Sequence, residues 1–420
     1  MSSGAMPTLA VGMLKTRKNH RMPTASVGMA PTMPHSPMKP TFLLRYRFPL
    51  GVALGLLASA VVLAVWPSGG SGLGKPEHGA LLSDCDGAIR EVVLHYVRDA
   101  AEIVAPTYRD FLRQLPADVA VRVVCRGRAD FDDLTARIGP TRCVLSPVIV
   151  DHPITSWSRD RWLALAAEGG KTSLLCPRGE DGAEVWPARD GDRRVAADLA
   201  AALRPDVTAV YSELYFDGGD FAADNETAFI TPAVLLRNVQ RTVTTAEELK
   251  SRFAAAVNRR VVLFRNAPDH HTAMYMIPVG SRTVLVGDPL LARRILADAN
   301  EEVEGPLSPA GGPDFSPATV ARFHAVAEQC RAAGYRVVRI PVVPARDGRT
   351  FITYVNVIID QREGRRVVYM PVFSVAKALN RAAAQTWEEL GYEVRPVSGD
   401  GCYRCFGTLH CLVNVLRRGS

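Results

Sequence analysis

At 420 residues, with 47% of them hydrophobic and 22% charged, the chain has the composition of a folded protein and is long enough for one large domain with extensions. Its net charge of +7 sits in the first segment: Lys15, Arg17, Lys18, Arg21, Lys39, Arg45 and Arg47 precede residue 48, and removing those seven from the 50 basic residues leaves 43, equal to the 43 acidic ones. A nucleic-acid binder concentrates basic charge on its folded domain, and this sequence does the reverse, which argues against nucleic acid as a partner.

Residues 1–48 are rich in Met, Pro, Ser and Thr without hydrophobic periodicity and read as a disordered basic tail. No charge falls between Phe48 and Gly74, and Leu50 to Trp66 is apolar enough to cross a bilayer, so residues 49–66 are expected to form one N-terminal transmembrane helix. The basic residues on its N-terminal side put the tail in the cytoplasm and everything after the span outside, a single-pass membrane protein with an extracytoplasmic domain. The alternative is a cleaved signal, with Ala58, Ser59 and Ala60 suited to a peptidase and Met38 as a later start, in which case the domain is secreted. Residues 67–80 read as a flexible linker and 81–420 as one domain.

Within that domain a helical pattern is expected from Gly87 to Leu115, with a break at Pro106, because Ile89, Val92, Val93, Val97 and Ile103 fall on one face. The β-branched runs Val119–Val124, Cys143–Val150, Val261–Phe264, Val284–Val286, Tyr335–Ile340 and Val367–Tyr369 predict buried strands. Thr245–Val257, Pro317–Ala333 and Val375–Leu390 carry helical spacing. Alternation of the two makes the domain α/β.

The eight cysteines include a pair, Cys402 and Cys405, just before Cys411. Outside the cell that pair could close a disulfide; with His410 and Cys411 it offers the donor set of a zinc site, a weaker reading because adjacent His and Cys rarely face one metal. A thiol redox role for the pair lacks the surrounding pattern of a thioredoxin.

Four segments place reactive side chains in apolar or turn-forming runs: Trp157-Ser158-Arg159-Asp160, Asp217-Gly218-Gly219-Asp220, Asp269-His270-His271-Thr272 and Gly407-Thr408-Leu409-His410-Cys411. A cysteine, a histidine and several carboxylates suit covalent catalysis on a cationic electrophile: the thiolate attacks, the imidazole moves protons and the carboxylates hold positive charge. Taken singly, each segment is as well explained by a turn or a core residue.

In their order, these segments resemble the motifs of the agmatine deiminase and bacterial peptidylarginine deiminase family of the pentein superfamily. That family runs W-x-R-D, E-G-G, H-x-D, T-Y-x-N and G-G-I-H-C; here stand Trp157 to Asp160, Asp217-Gly-Gly, His270-His-Thr272, Thr353-Tyr-Val-Asn356 and Gly407 to Cys411. The resemblance covers residues 145 to 420 and implies a five-bladed α/β propeller of repeated ββαβ modules around a central site. It implies a membrane-anchored hydrolase of guanidino C–N bonds, with a small-molecule or peptidyl guanidino substrate and neither metal nor organic cofactor. By position, Cys411 is the expected nucleophile, His270 the acid and base, and Asp160 the holder of the guanidinium, with Asp217, Asp220, Trp157 and Thr272 lining the substrate.

The pattern departs from the family at three places. Thr272 stands where a second guanidinium-binding Asp is expected, Asp217 is one methylene shorter than Glu, and Arg161-Trp162 follow Asp160 where the family has a smaller loop. Dimethylarginine hydrolases resemble the superfamily and also lack the second Asp. The competing expectation is therefore a degraded pentein-fold module that binds a cationic ligand without turnover.

Overall fold

The structure, a computed structural model, describes residues 78–179 and 187–419. The expected tail and membrane span lie outside the described residues, as does the linker up to residue 77. Among the described residues no helix is long and apolar enough to cross a membrane.

Among the described residues the strands fall into five sheets, and one ββαβ pattern recurs in them. Leu163–Ala166 pairs antiparallel with Thr172–Cys176, the helix Pro187–Ala202 follows, and Val207–Tyr211 returns parallel to Thr172–Cys176. Phe221–Ala223, Thr227–Ile230 and Arg260–Leu263 repeat this order with Ala246–Val257 as the main crossover helix. Met276–Pro278, Thr283–Asp288 and Arg336–Pro344 do so across Pro289–Ala299 and Pro317–Ala332. Ile358–Arg362, Arg365–Val372 and Glu393–Ser398 do so across Lys377–Glu389. The fifth unit joins the chain's ends: Val413–Gly419 pairs antiparallel with Ala88–His95, which runs parallel to Ala120–Cys125 beyond the helix Ala101–Gln114. Parallel neighbours need such crossovers, and covering both faces of each strand explains the near-continuous apolar runs.

The helix expected from Gly87 to Leu115 is a correction. Its first half, Ala88–His95, is a strand buried at every position but Arg90, and helix begins only at Ala101 and continues through Pro106 to Gln114. Ile89, Val92 and Val93 satisfy helical spacing, but β-branched residues also suit a pleated surface, and pairing on both edges decided the outcome.

Candidate active site

Each of the five units contributes from the same place, the loop just before its first strand. Asp160 precedes Leu163–Ala166, Asp217 to Asp220 precede Phe221–Ala223, His271 precedes Met276–Pro278, Asn356 precedes Ile358–Arg362, and Cys411 precedes Val413–Gly419. Residues far apart in sequence thus occupy equivalent positions of a repeated unit.

Cys411 is buried in the single turn Leu409–Leu412. Asn356 sets this turn: its Oδ1 accepts the Thr408 hydroxyl at 2.7 Å and the His410 N–H at 3.0 Å, while its Nδ2 donates to Cys411 Sγ at 3.3 Å. Asn356 is fully buried, so its position rests on these bonds rather than on solvent. Gly407 is required for close approach, since a Cβ there would lie 2.9 Å from the Trp157 ring and 3.1 Å from Cys411 Sγ. The Trp157 ring and the thiol thus both border Gly407.

The histidine against the thiol is His271, not the expected His270. Burial alone would push His271 down, but its hydrogen bond with Cys411 and the charges of Asp160 and Asp220 overturn this and hold it up at about 10. His270 packs edge-on to Phe351, and its Nδ1 accepts the His271 backbone N–H at 2.7 Å. Burial, then the positive His271 beside it, lowers His270 to about 3, so it is a neutral support. The two rings are neighbours on one bend, 5.3 Å apart, and the sequence alone did not say which of them meets the thiol.

The two glycines between Asp217 and Asp220 have separate reasons. A Cβ on Gly218 would meet the Arg159 carbonyl oxygen at 2.2 Å, and one on Gly219 would meet His271 Nδ1 at 2.4 Å. Gly218 N–H donates to the Asp160 carbonyl at 2.7 Å, and the Thr272 hydroxyl donates to the Asp220 carbonyl at 2.5 Å. Thr272 therefore ties two site loops together and presents no group to a ligand. Counted from His271, the position two residues on is Ala273, a buried methyl. By either count the second carboxylate is missing. Asp269, the acid at the head of this segment, is exposed.

The remaining carboxylates are paired with arginines that sequence reading did not assign to the site. Arg189 donates through Nη1 to Asp160 Oδ2 and through Nη2 to Asp217 Oδ1 at 3.2 Å. Arg161 Nη1 lies 3.3 Å from Asp217 Oδ1, and Arg237 Nη1 donates to Asp217 Oδ2 at 3.0 Å. Arg237 also pairs with Asp220, whose Oδ2 accepts the Asp217 N–H at 2.6 Å. Against the cost of burial, Arg189, Arg161 and Arg237 hold Asp217 well below the usual carboxylate range. Burial and the neighbouring Asp217 raise Asp220 despite Arg237. One carboxylate oxygen is left over: Asp160 Oδ1 has no hydrogen bond and lies 4.0 Å from His271 Nδ1, itself without a partner. Both orphaned atoms are buried, and a buried polar atom without a partner costs roughly 1–3 kcal/mol; a water in the gap can donate to Asp160 Oδ1 and accept from His271 Nδ1–H, whereas a ligand's N–H can pair with Asp160 Oδ1 alone.

Behind these loops, Asp84 ties their neighbours together. Asp84 accepts from Arg159 Nη2 at 3.2 Å and from the Ala223 N–H at 2.8 Å, and its Oδ1 lies 3.1 Å from His410 Nε2. Its partners are the chain neighbours of Asp160 and Cys411 and a residue just past Asp220. His410, the residue before Cys411, is held here by Asp84. The zinc reading does not fit: His410 faces Asp84, and Cys402 Sγ lies 3.3 Å from the Thr107 hydroxyl. Cys402 and Cys405 are both free thiols.

No family model matches the chain, and no curated protein matches it in sequence. Solved structures do. An agmatine deiminase of C. jejuni superposes with a TM-score of 0.59 at 13% identity, covering 81% of this chain and 96% of that one. An agmatine deiminase of Enterococcus faecalis gives 0.59 at 12% identity, covering 82% and 97%. The chain has the agmatine deiminase fold. At such identities the likeness is one of backbone, and the chemistry of this pentein-fold chain rests on the site itself.

Proposed function

We propose that this chain hydrolyses a guanidino C–N bond, with Cys411 as nucleophile and His271 as acid and base. The observation that carries the reading is the convergence of the Cys411 thiol, the protonated His271 ring and the unpartnered Asp160 Oδ1. Asp160 Oδ1 accepts an N–H of the bound guanidinium, and Cys411 Sγ, as thiolate, attacks the central carbon. His271 gives its proton to the departing nitrogen, which leaves as ammonia or an amine. His271 then takes a proton from water, whose oxygen attacks the amidino-thioether. Collapse breaks the C–S bond and yields a ureido product and the free thiol group. The substrate supplies its own electrophile, so the step draws on no other group. The five ββαβ units are read as the blades of a propeller around this pocket, and residues 49–66 as its membrane anchor. Support for a small guanidino ligand comes from the C. jejuni agmatine deiminase solved with its substrate bound, whose fold this chain shares at a TM-score of 0.60 and 12% identity.

A binding module without turnover is favoured by one observation, the absence of a carboxylate at Ala273 and Thr272. One assay separates the two: the chain is incubated with agmatine, arginine and peptidyl arginine, and ureido product is measured. Product above a Cys411→Ala control supports the hydrolase; binding of the same compounds without product at any of them sinks it.

A further inference from the structure

Asp160 is the carboxylate on which the proposed reaction depends, yet half of it is already taken. Arg189 places its guanidinium on Asp160 Oδ2 and on Asp217 Oδ1. A guanidinium is itself the group the pocket is proposed to bind, and bidentate pairing with a carboxylate needs both oxygens. Arg189 therefore stands as an internal competitor for the subsite.

Its position is built by several contacts. Arg189 lies in the first turn of the helix Pro187–Ala202, where a cation opposes the helix dipole, so the two carboxylates must hold it there. One turn on, Asp192 is fully buried and accepts the Thr155 N–H at 2.8 Å and the Thr155 hydroxyl at 2.6 Å. Gly191 lets the helix touch the same loop, since a Cβ there would sit 1.7 Å from the Pro153 carbonyl oxygen. Thr155 is two residues before Trp157, whose ring borders Gly407. The helix start is thus pinned to the loop that also carries Asp160, and Arg189 is aimed from that base. Burial works against the Arg189 charge, and Asp160 and then Asp217 more than offset it.

We propose that Arg189 is the specificity-determining residue of this pocket: a cationic ligand gains bidentate hold on Asp160 only by displacing the Arg189 guanidinium, whereas a neutral ligand reaches Cys411 without doing so. The inference rests on the reading of Asp160 as the cation subsite, and its test does not need turnover. The purified full chain is alkylated at Cys411 with 2-chloroacetamidine, an amidinium, and with iodoacetamide, which is neutral; adducts at Cys411 are quantified by peptide mass spectrometry.

In Arg189→Leu the amidinium rate should rise at least about tenfold while the iodoacetamide rate stays within about threefold, as expected for freeing a charge-assisted pair. Arg189→Gln removes the charge but keeps a polar side chain at the helix start and should show the same selectivity if the Leu variant folds poorly. Arg189→Lys should stay near the wild type. Arg237→Leu removes a cation from Asp217 and Asp220 without touching Asp160. An equal gain there would overturn the proposal in favour of net charge, as would unchanged amidinium selectivity in both neutral Arg189 variants. A selective gain with no ureido product from any variant would keep this inference and end the hydrolase reading; product formation with unchanged selectivity would do the opposite.

Discussion

Replacing His271 and His270 separately by Gln tests which ring serves Cys411. The rise of His271 from 6.5 to about 10 corresponds to an order of 5 kcal/mol in favour of the protonated ring, set by Cys411, Asp160 and Asp220 against burial. A Gln side chain cannot carry that proton. Loss of a positioned general acid costs about 10²–10⁴ in rate, or about 3–5 kcal/mol of barrier, so His271→Gln should lower kcat/KM by that factor. Because the acid works only while protonated, wild-type kcat/KM should fall as pH rises through about 10, and this limb should vanish in the variant. His270, lowered to about 3, is neutral across the working range, and its structural part is to accept the His271 backbone N–H at 2.7 Å and to donate to the backbone at Phe406 and Arg349. A Gln carbonyl can accept the same bond, so His270→Gln should cost about 1 kcal/mol of stability and leave kcat/KM within about tenfold. Ureido product measured from pH 6 to 11 decides the matter. A loss confined to His270→Gln, or equal in both, refutes the assignment.

Gly219→Ala drives a methyl into the space of the His271 ring and should lower activity sharply for about 1–3 kcal/mol of stability, read from denaturant unfolding and initial rates. Asn356→Ala strips the acceptor from the Thr408 hydroxyl and the His410 N–H and should cost roughly 2–4 kcal/mol together with most of the activity, by the same two measurements. Asp84→Asn leaves buried Arg159 without its charge partner, which should cost about 3–5 kcal/mol. If Asp84 acts by positioning, kcat should fall with little change in KM in any fraction that folds.

Much of the scaffold was legible because buried parallel strands write themselves as β-branched runs. The strands at Ala120–Cys125 and Thr283–Asp288 and the helix Ala246–Val257, capped by Thr245, sit where the pattern puts them to within a few residues. Short edge strands such as Phe221–Ala223 were not legible, since three residues carry no period. The motifs with glycines and cysteine announced themselves through residue types that have few other uses. Arg189, Arg237 and Asp84 gave no such signal, because an arginine or aspartate in an ordinary helix or loop is most often a solvated charge. Only the fold reveals that Arg189 and Arg237 pair with the carboxylates of the site and that Asp84 pairs with Arg159 and His410, and only the placement of each ring separates His271 from His270.

The arginines bear on whether the missing carboxylate matters. Buried charge is costly unless paired, and Asp160, Asp217 and Asp220 are matched by Arg161, Arg189 and Arg237, with protonated His271 left over. A thiolate at Cys411 balances that last charge, and the pocket then has nothing to neutralise an arriving guanidinium except by releasing a cation of its own. No carboxylate stands at Ala273 or Thr272, and displacing Arg189 is the route by which Asp160 Oδ2 becomes available, since Asp217 stays paired with Arg161 and Arg237. Restoring the acid by Ala273→Asp should therefore help cationic ligands most in an Arg189→Leu background, where two carboxylates face the substrate, and far less in the wild type. Gains that simply add across the four proteins, measured as amidinium alkylation rates at Cys411, would show that the two positions do not share a subsite.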